Sequence, residues 1–431
     1  MEHIERLSNN SPTAKSKNSH KEQKKASEIS KQKWAILSIS SIPLVMTLGN
    51  SMLIPVLPAL EKVLSITSFQ SSLVITVYSI IAILLIPVAG YLSDHIGRKK
   101  VIIPSLMIAA AGGLISGWAA WKTEDAYWII LAGRALQGVG AAGAFPIVLP
   151  LVGDMFKKED DVSACLGLIE TSNTFGKVLS PIFGAFLAGF VWFLPFFAFP
   201  VFCAISVILL IFLVKSPKKK EKPIPFKDFI ISVKKTFTKS GRWLYAIFFI
   251  GGIMMLVLFG ILFYLSEIFE KEYGIKDIKK GFFLALPLGA LCLSSFISGK
   301  LIKKNKVLMK WLTFGGIFAA ALSIAALWFS IKLWYMLSMF LIAGVGIGIS
   351  LPSLDALITD GVEKKERGTI TSIYSSMRFI GVAAGPPIIA LLMDYSTHWI
   401  FILLSGLAIL AAIVTLIAIK PPPKEENSQK S

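Results

Sequence analysis

The sequence predicts an all-α polytopic membrane protein, and three observations carry that expectation. Of its 431 residues 55% are hydrophobic and only 16% charged, with a mean hydropathy of +0.70, whereas soluble chains carry about 25% charged residues. Stretches such as IPSLMIAAAGGLISGWAAW and IFILLSGLAILAAIVTLIAI are apolar all round, while a soluble helix is apolar along one stripe. Each is close to the length of about 20 residues that spans a bilayer core.

In chain order, residues 1–33 are polar and Lys-rich and lack a signal peptide's apolar core and cleavage site. They read as a disordered cytoplasmic tail. Six apolar spans follow, at 34–54, 69–92, 101–121, 126–152, 163–189 and 191–214, and define a first bundle, 34–214. Six more, at 243–266, 279–299, 307–331, 333–357, 369–393 and 398–419, define a second, 243–420. The basic linker between them, 215–242, sets Phe226, Phe229, Ile230, Val233 and Phe237 at helical spacing among Lys227, Lys234 and Lys235. That pattern suits a helix lying on an anionic leaflet or, equally, a solvated connection. Residues 421–431 form a second cytoplasmic tail.

Charge placement sets the orientation. Loops after even-numbered spans, with both tails and Lys310 in the first turn of span 9, hold 34 Lys and Arg; loops after odd-numbered spans, with the first turn of span 8, hold seven, namely Lys62, Lys122, Lys271, Lys276, Lys279, Lys280 and Lys332. By the positive-inside rule both termini are cytoplasmic. The same placement explains the net charge of +18 without a nucleic-acid partner. Low-polarity loops and Lys-rich tails suit a bacterial plasma membrane. Cys165, Cys203 and Cys292 fall inside spans at no metal-ligand spacing, so they read as small packing residues and no metal site is expected.

The two halves repeat. GVGAAGAFPIVLPLVGDMF at 138 and GVGIGISLPSLDALITDGV at 344 align without a gap, matching Gly138, Gly140, Pro146 and Asp154 to Gly344, Gly346, Pro352 and Asp360. Gly176 and Pro181 likewise match Gly381 and Pro386. Internal repeats of this kind, with binding near the midplane, mark secondary transporters.

Three short motifs sit on this frame. GYLSDHIGRKK, between spans 2 and 3, carries Gly90, Leu92, Ser93, Asp94, Gly97, Arg98 and Lys99. Span 4 carries Arg134, Gln137, Gly138, Gly140, Ala141 and Ala142; span 5 reads GKVLSPIFGA with Gly176, Pro181 and Gly184; span 11 reads GVAAGPP with Gly381, Gly385 and Pro386. Together they resemble motifs A, B and C of the major facilitator superfamily, and of its twelve-helix drug:proton antiporters of the bacterial multidrug efflux type in particular. The likeness runs nearly throughout Trp34 to Lys420. His95 stands where motif A has Arg or Lys, and Ser180 and Ala185 replace two motif C glycines.

The resemblance implies the major facilitator fold, two six-helix bundles related by a pseudo-two-fold axis. It implies that motif A latches the cytoplasmic side in the outward-facing state. Asp154, closing span 4, is the natural partner of Arg98, whose guanidinium can hold a carboxylate with two parallel hydrogen bonds. The resemblance also assigns Arg134 to proton coupling and motif C to export.

Ionisable residues inside spans are functional candidates by default. Glu170 and Asp355 are the candidate proton carriers; alternatively Glu170 pairs Lys177 and Asp355 pairs Arg378 as fixed struts. Span 1 holds no acidic residue of the kind that binds cationic drugs in some exporters of this type. Candidate cavity residues are Asn50, Ser51, Phe145, Lys177, Phe263, Tyr374 and Arg378, with Trp118 a further aromatic. The expected function is proton-coupled antiport, exporting amphiphilic small molecules by alternating access, with protons and the lipid bilayer as partners. A lipid or glycolipid flippase and a sugar or metabolite importer remain open on the same fold, and a non-transporting membrane receptor is the rival from another functional class. No nucleophile–base pair, nucleotide loop or obligate protein partner is evident, so no enzyme activity and no cofactor beyond the proton gradient are expected.

Overall fold

The structure, a computed structural model, describes residues 13–123, 125–156, 159–215, 241–302, 305–362 and 364–420. Among them there are only helices and short connections. Helix α1 (Thr13–Ser51) is followed by a single 3-10 turn, Ile54–Val56, and the short α2 (Leu57–Leu64). Next come α3 (Ser68–Ile96), α4 (Arg98–Lys122), α5 (Ala126–Met155), α6 (Glu159–Phe190) and α7 (Leu194–Leu213). The second half comprises α8 (Arg242–Lys271), α9 (Asp277–Ile302), α10 (Lys306–Ala326), α11 (Leu333–Gly361), α12 (Lys364–Met393) and α13 (Thr397–Ala418). Where the sequence suggests a disordered tail to residue 33, the described backbone is helical from Thr13, continuous with the first span. The amphipathic stretch of the linker and the C-terminal tail lie outside the described residues.

Eleven helices among the described residues are long and apolar enough to cross a membrane. The exception is α6, the fifth expected span, which carries Glu170, Asn173, Thr174 and Lys177. Its polarity has a structural cause, because the last three of these are buried inside the protein rather than facing lipid. Aromatic belts mark the two membrane surfaces. Trp118, Trp121, Trp128, Trp328, Trp334 and Trp399 are exposed at one end, Trp34 and Trp311 at the motif A end. Indoles favour the interface because an apolar ring carries a polar N–H. Trp118, considered above as a cavity aromatic, belongs to this belt.

Within the first half α1 packs on α6 and α7, and α4 on α5 and α7; in the second, α8 packs on α12 and α13, and α10 on α11 and α13. The halves meet along α3 with α12 and α6 with α9, two pairs that the pseudo-two-fold axis exchanges. Their union is unequal along the membrane normal. At the end away from motif A, Leu53, Ile54, Leu57, Leu60, Val74 and Ile75 share one apolar core with the second half. Toward motif A, the first half keeps a separate core around Ile39, Ile102, Val148, Leu151 and Leu210.

Candidate functional site: a charged axis between two halves

Motif A forms a compact ionic cluster. Helix α3 ends at Ile96, and Gly97 turns the chain with φ +103°, a conformation costly for any residue with a Cβ. The turn brings Arg98, at the start of α4, against both its neighbours. Its Nη2 lies 2.6 Å from Asp94 Oδ1 and its Nε donates to Asp154 Oδ2 at 3.1 Å, while Nη1 donates to Ser93 Oγ at 2.7 Å. Lys99 donates to the carbonyls of Ile211 and Val214 at 3.0 and 2.8 Å, where α7 leaves carbonyls unmatched. The expected Asp94–Arg98–Asp154 grouping is thus present, joining three helices of one half. Gly90 has open space beside it.

Motif B is buried machinery of another kind. Arg134 is fully buried and donates to Val74 O at 2.7 Å, Gly49 O at 3.2 Å, Asn50 Oδ1 at 2.7 Å and Gln137 Oε1. The Tyr78 ring lies 4.6 Å from its guanidinium carbon. Neutral dipoles and a ring face therefore satisfy the charge, and no carboxylate among the described residues pairs with it. Asn50, expected to line the cavity, is instead committed to Arg134. The small residues do what packing requires. A Cβ at Gly138 would meet Tyr78 O at 2.4 Å, and one at Gly140 would meet Ser105 O at 2.4 Å.

Motif C brings helices into backbone contact in both halves. A Cβ at Gly184 would lie 2.0 Å from Met52 O, in the turn just after α1, and one at Gly381 2.0 Å from Gly252 O of α8. Gly176 and Gly385 sit on the same two seams, against Leu44 and Leu256. Pro181 and Pro386 lie inside α6 and α12.

The midplane charges do not pair as sequence spacing suggests. Arg378 of α12 lies 3.5 Å from Asp355 Oδ1, the expected strut, but also 3.8 Å from Glu170 Oε1 of the other half. Glu170 accepts a hydrogen bond from Asn173 Nδ2 at 3.2 Å, and Asn173 Oδ1 accepts from Thr47. The expected Glu170–Lys177 pair is absent. Seven residues share a helix face but lie about 10 Å apart along the axis, so Glu170 reaches across to α12 instead. Tyr374 is buried, stacked on Phe248, with its ring 5.7 Å from the Arg378 guanidinium. Phe263 is 1% exposed within the second-half core, and Phe145 packs against the first-half core; neither lines the cavity described next. That cavity lies between the halves and is lined by Ser51, Ile54, Lys177 and Pro181 on one side and Leu258, Phe259, Leu262, Leu284 and Leu288 on the other.

At the end away from motif A the halves are tied by an ion network that sequence reading missed. Lys271 Nζ lies 2.9 Å from Glu61 of the first half and 2.6 Å from Glu267 of its own helix. Glu270 meets Lys62 of the first half at 2.9 Å and Lys280 at 2.6 Å. Glu61 also accepts from Ser68 and Ser71 at 3.0 and 2.6 Å, and Ser266 donates to Ile54 O at 2.8 Å. The available signal was the grouping of Glu267, Glu270 and Lys271 at helical spacing beside an apolar span. Along the chain these lysines count as loop charge alone.

Two repeated helical bundles, joined at one end and separately cored toward the other, with ionisable groups along their seam, define a membrane transporter rather than an enzyme. Relatedness makes the assignment specific: the chain belongs to the Major Facilitator Superfamily, whose sequence pattern matches residues 39–386 and 310–431. It is 52% identical over 393 residues to the bacillibactin exporter of Bacillus subtilis (strain 168), covering 91% of this chain and 98% of that one. It is 24% identical to multidrug resistance protein 2 of the same organism, over 90% of this chain and 96% of the relative. The crystal structure of the human organic anion transporter MFSD10 (TETRAN) superimposes with a TM-score of 0.71 at 17% identity, covering 89% of this chain and 99% of that one. The last likeness speaks to the fold alone.

Proposed function

We propose that this transporter is a proton-coupled antiporter that exports an amphiphilic small molecule of the kind handled by the bacillibactin exporter. The 52% identity over nearly the whole chain supports the cargo class and direction. In this reading the motif A end faces the cytoplasm of a bacterial cell and the Glu61–Lys271 end faces outward. The bundles rock about the midplane, and the conformation described is the one sealed on the outside.

One observation carries the coupling: Glu170 of the first half faces Arg378 of the second at 3.8 Å, beside Asp355. A proton on Glu170 removes an attraction that holds the halves together at that level. It thereby changes the relative stability of the two postures, which is what a coupling ion must do. Arg134 then serves as a fixed frame for α1, α3 and α5.

Inverted membrane vesicles containing the protein test this. With an acidified lumen they should accumulate bacillibactin, and a protonophore should abolish accumulation. Glu170→Gln should lower gradient-driven uptake about tenfold or more while leaving equilibrium binding intact. Undiminished uptake in Glu170→Gln would remove that carboxylate from coupling, and accumulation insensitive to the protonophore would remove protons altogether.

A further inference from the structure

Lys177 feels the charges of Arg378, Glu170 and Asp355 through space but makes direct contact with none of them. It is 7% exposed, so more than nine-tenths buried, and about 27 Å along α6 from Glu159, near the middle of a 30 Å hydrocarbon core. Arg378 takes both nearby carboxylates, Glu170 and Asp355. Among the described residues no ion pair or side-chain hydrogen bond holds the Lys177 ammonium. It instead helps line the interbundle cavity, where Ser51 is the other polar residue and the remaining walls are Ile54, Pro181, Leu258, Phe259, Leu262, Leu284 and Leu288.

An ammonium with no carboxylate in direct contact is poorly satisfied at this depth, and intramembrane ionisable groups characteristically pair or mark a substrate path. The cavity offers the second option. With free space of about 10 Å³ it is closed in this conformation, and its lining, one cation against apolar walls drawn from both halves, matches a ligand with one anionic group on an apolar body once the halves part. We infer that Lys177 is the anion-recognition residue of the cargo site and that the cargo is an acidic amphiphile, its anionic group on the Lys177 Nζ and its apolar body against Leu258, Phe259 and Leu262. This deepens the export reading and rests on it for the claim that the cavity is a cargo site. The absence of any acidic residue from Trp34 to Leu60 agrees, since nothing along that membrane-spanning stretch offers a cationic ligand a partner.

The test uses two matched probes, 11-(dansylamino)undecanoic acid and its methyl ester, titrated at pH 7 against the full-length protein in nanodiscs, with empty nanodiscs subtracted. The wild type should bind the acid about tenfold more tightly than the ester, a difference of about 1.4 kcal/mol. Lys177→Gln should bring the acid down to the ester's affinity without changing ester binding, which also reports that the variant is folded. Lys177→Arg should retain the preference. Equal binding of acid and ester by the wild type, or an undiminished preference in Lys177→Gln, would overturn the inference. Gradient-driven uptake of the same probes keeps the two readings apart: a Lys177-dependent acid preference without uptake of either probe upholds the anion site and refutes proton-driven export.

Discussion

Lys271 on α8 and Glu61 on α2 meet at 2.9 Å across the seam between the two bundles, although 210 residues separate them. The same ammonium lies 2.6 Å from the fully buried Glu267. A single cation thus holds a carboxylate from each half, at the end where the two apolar cores also merge.

Cutting that tie should open the end it seals. Lys271 is 42% exposed, so water screens part of the interaction. Lys271→Gln should shift the population toward the open form about tenfold, or about 1.4 kcal/mol. Labelling of a cysteine introduced at Ser51 by an impermeant maleimide from that side should accelerate accordingly. An unchanged labelling rate would mean that the merged apolar core alone keeps this end shut.

The motif A cluster should matter for turnover more than for binding. Arg98 engages Asp94, Asp154 and Ser93 at once through three nitrogens, a geometry that the single ammonium of lysine cannot reproduce. Arg98→Lys should therefore lower transport rate about tenfold with ligand affinity within twofold of wild type. Asp154→Asn should do nearly the same. Parallel losses of affinity and rate would assign the cluster to binding instead.

Arg134 should prove a stability residue as much as a functional one. Removing it leaves the carbonyls of Val74 and Gly49 and the side chains of Asn50 and Gln137 without their donor in a fully buried site. A buried polar group left without its partner costs about 1–3 kcal/mol, and here several are orphaned at once. Thermal unfolding of Arg134→Ala in detergent should show a large fall in Tm, and Arg134→Lys a smaller one.

Two glycines separate packing from motion. At Gly184 a Cβ would press on Met52 O at 2.0 Å, so Gly184→Val should cut the yield of folded protein sharply. At Gly90 nothing lies within 4 Å, so Gly90→Val should fold normally. If the halves close at the motif A end during the cycle, that variant should still slow transport. Full activity in vesicles would mean that no neighbour ever reaches this face.

By itself the sequence determined the class of fold, the number of spans and the places where chemistry sits. Apolar length near bilayer thickness, the displaced repeat of Gly138–Asp154 in Gly344–Asp360, and the local turn at Gly97 are properties of neighbouring residues. They survive without tertiary information. The motif A grouping was legible for the same reason, since Asp94, Ser93 and Arg98 are near in chain order and Asp154 ends the adjacent helix. Pairings between helices remote from each other in the chain were not. Glu170 faces Arg378 rather than Lys177, and Asn50 serves Arg134 rather than a cavity. The Glu61–Lys271–Glu267 tie uses a lysine that along the chain reads as loop charge. The Glu170–Arg378 and Glu61–Lys271 pairs depend on how the two bundles are set against each other, and the Asn50–Arg134 bond on how α1 packs against α5 within one of them. A charge can choose among partners on several helices within a few ångströms, and the choice follows from depth and rotation in the assembled seam, which no spacing along one helix contains.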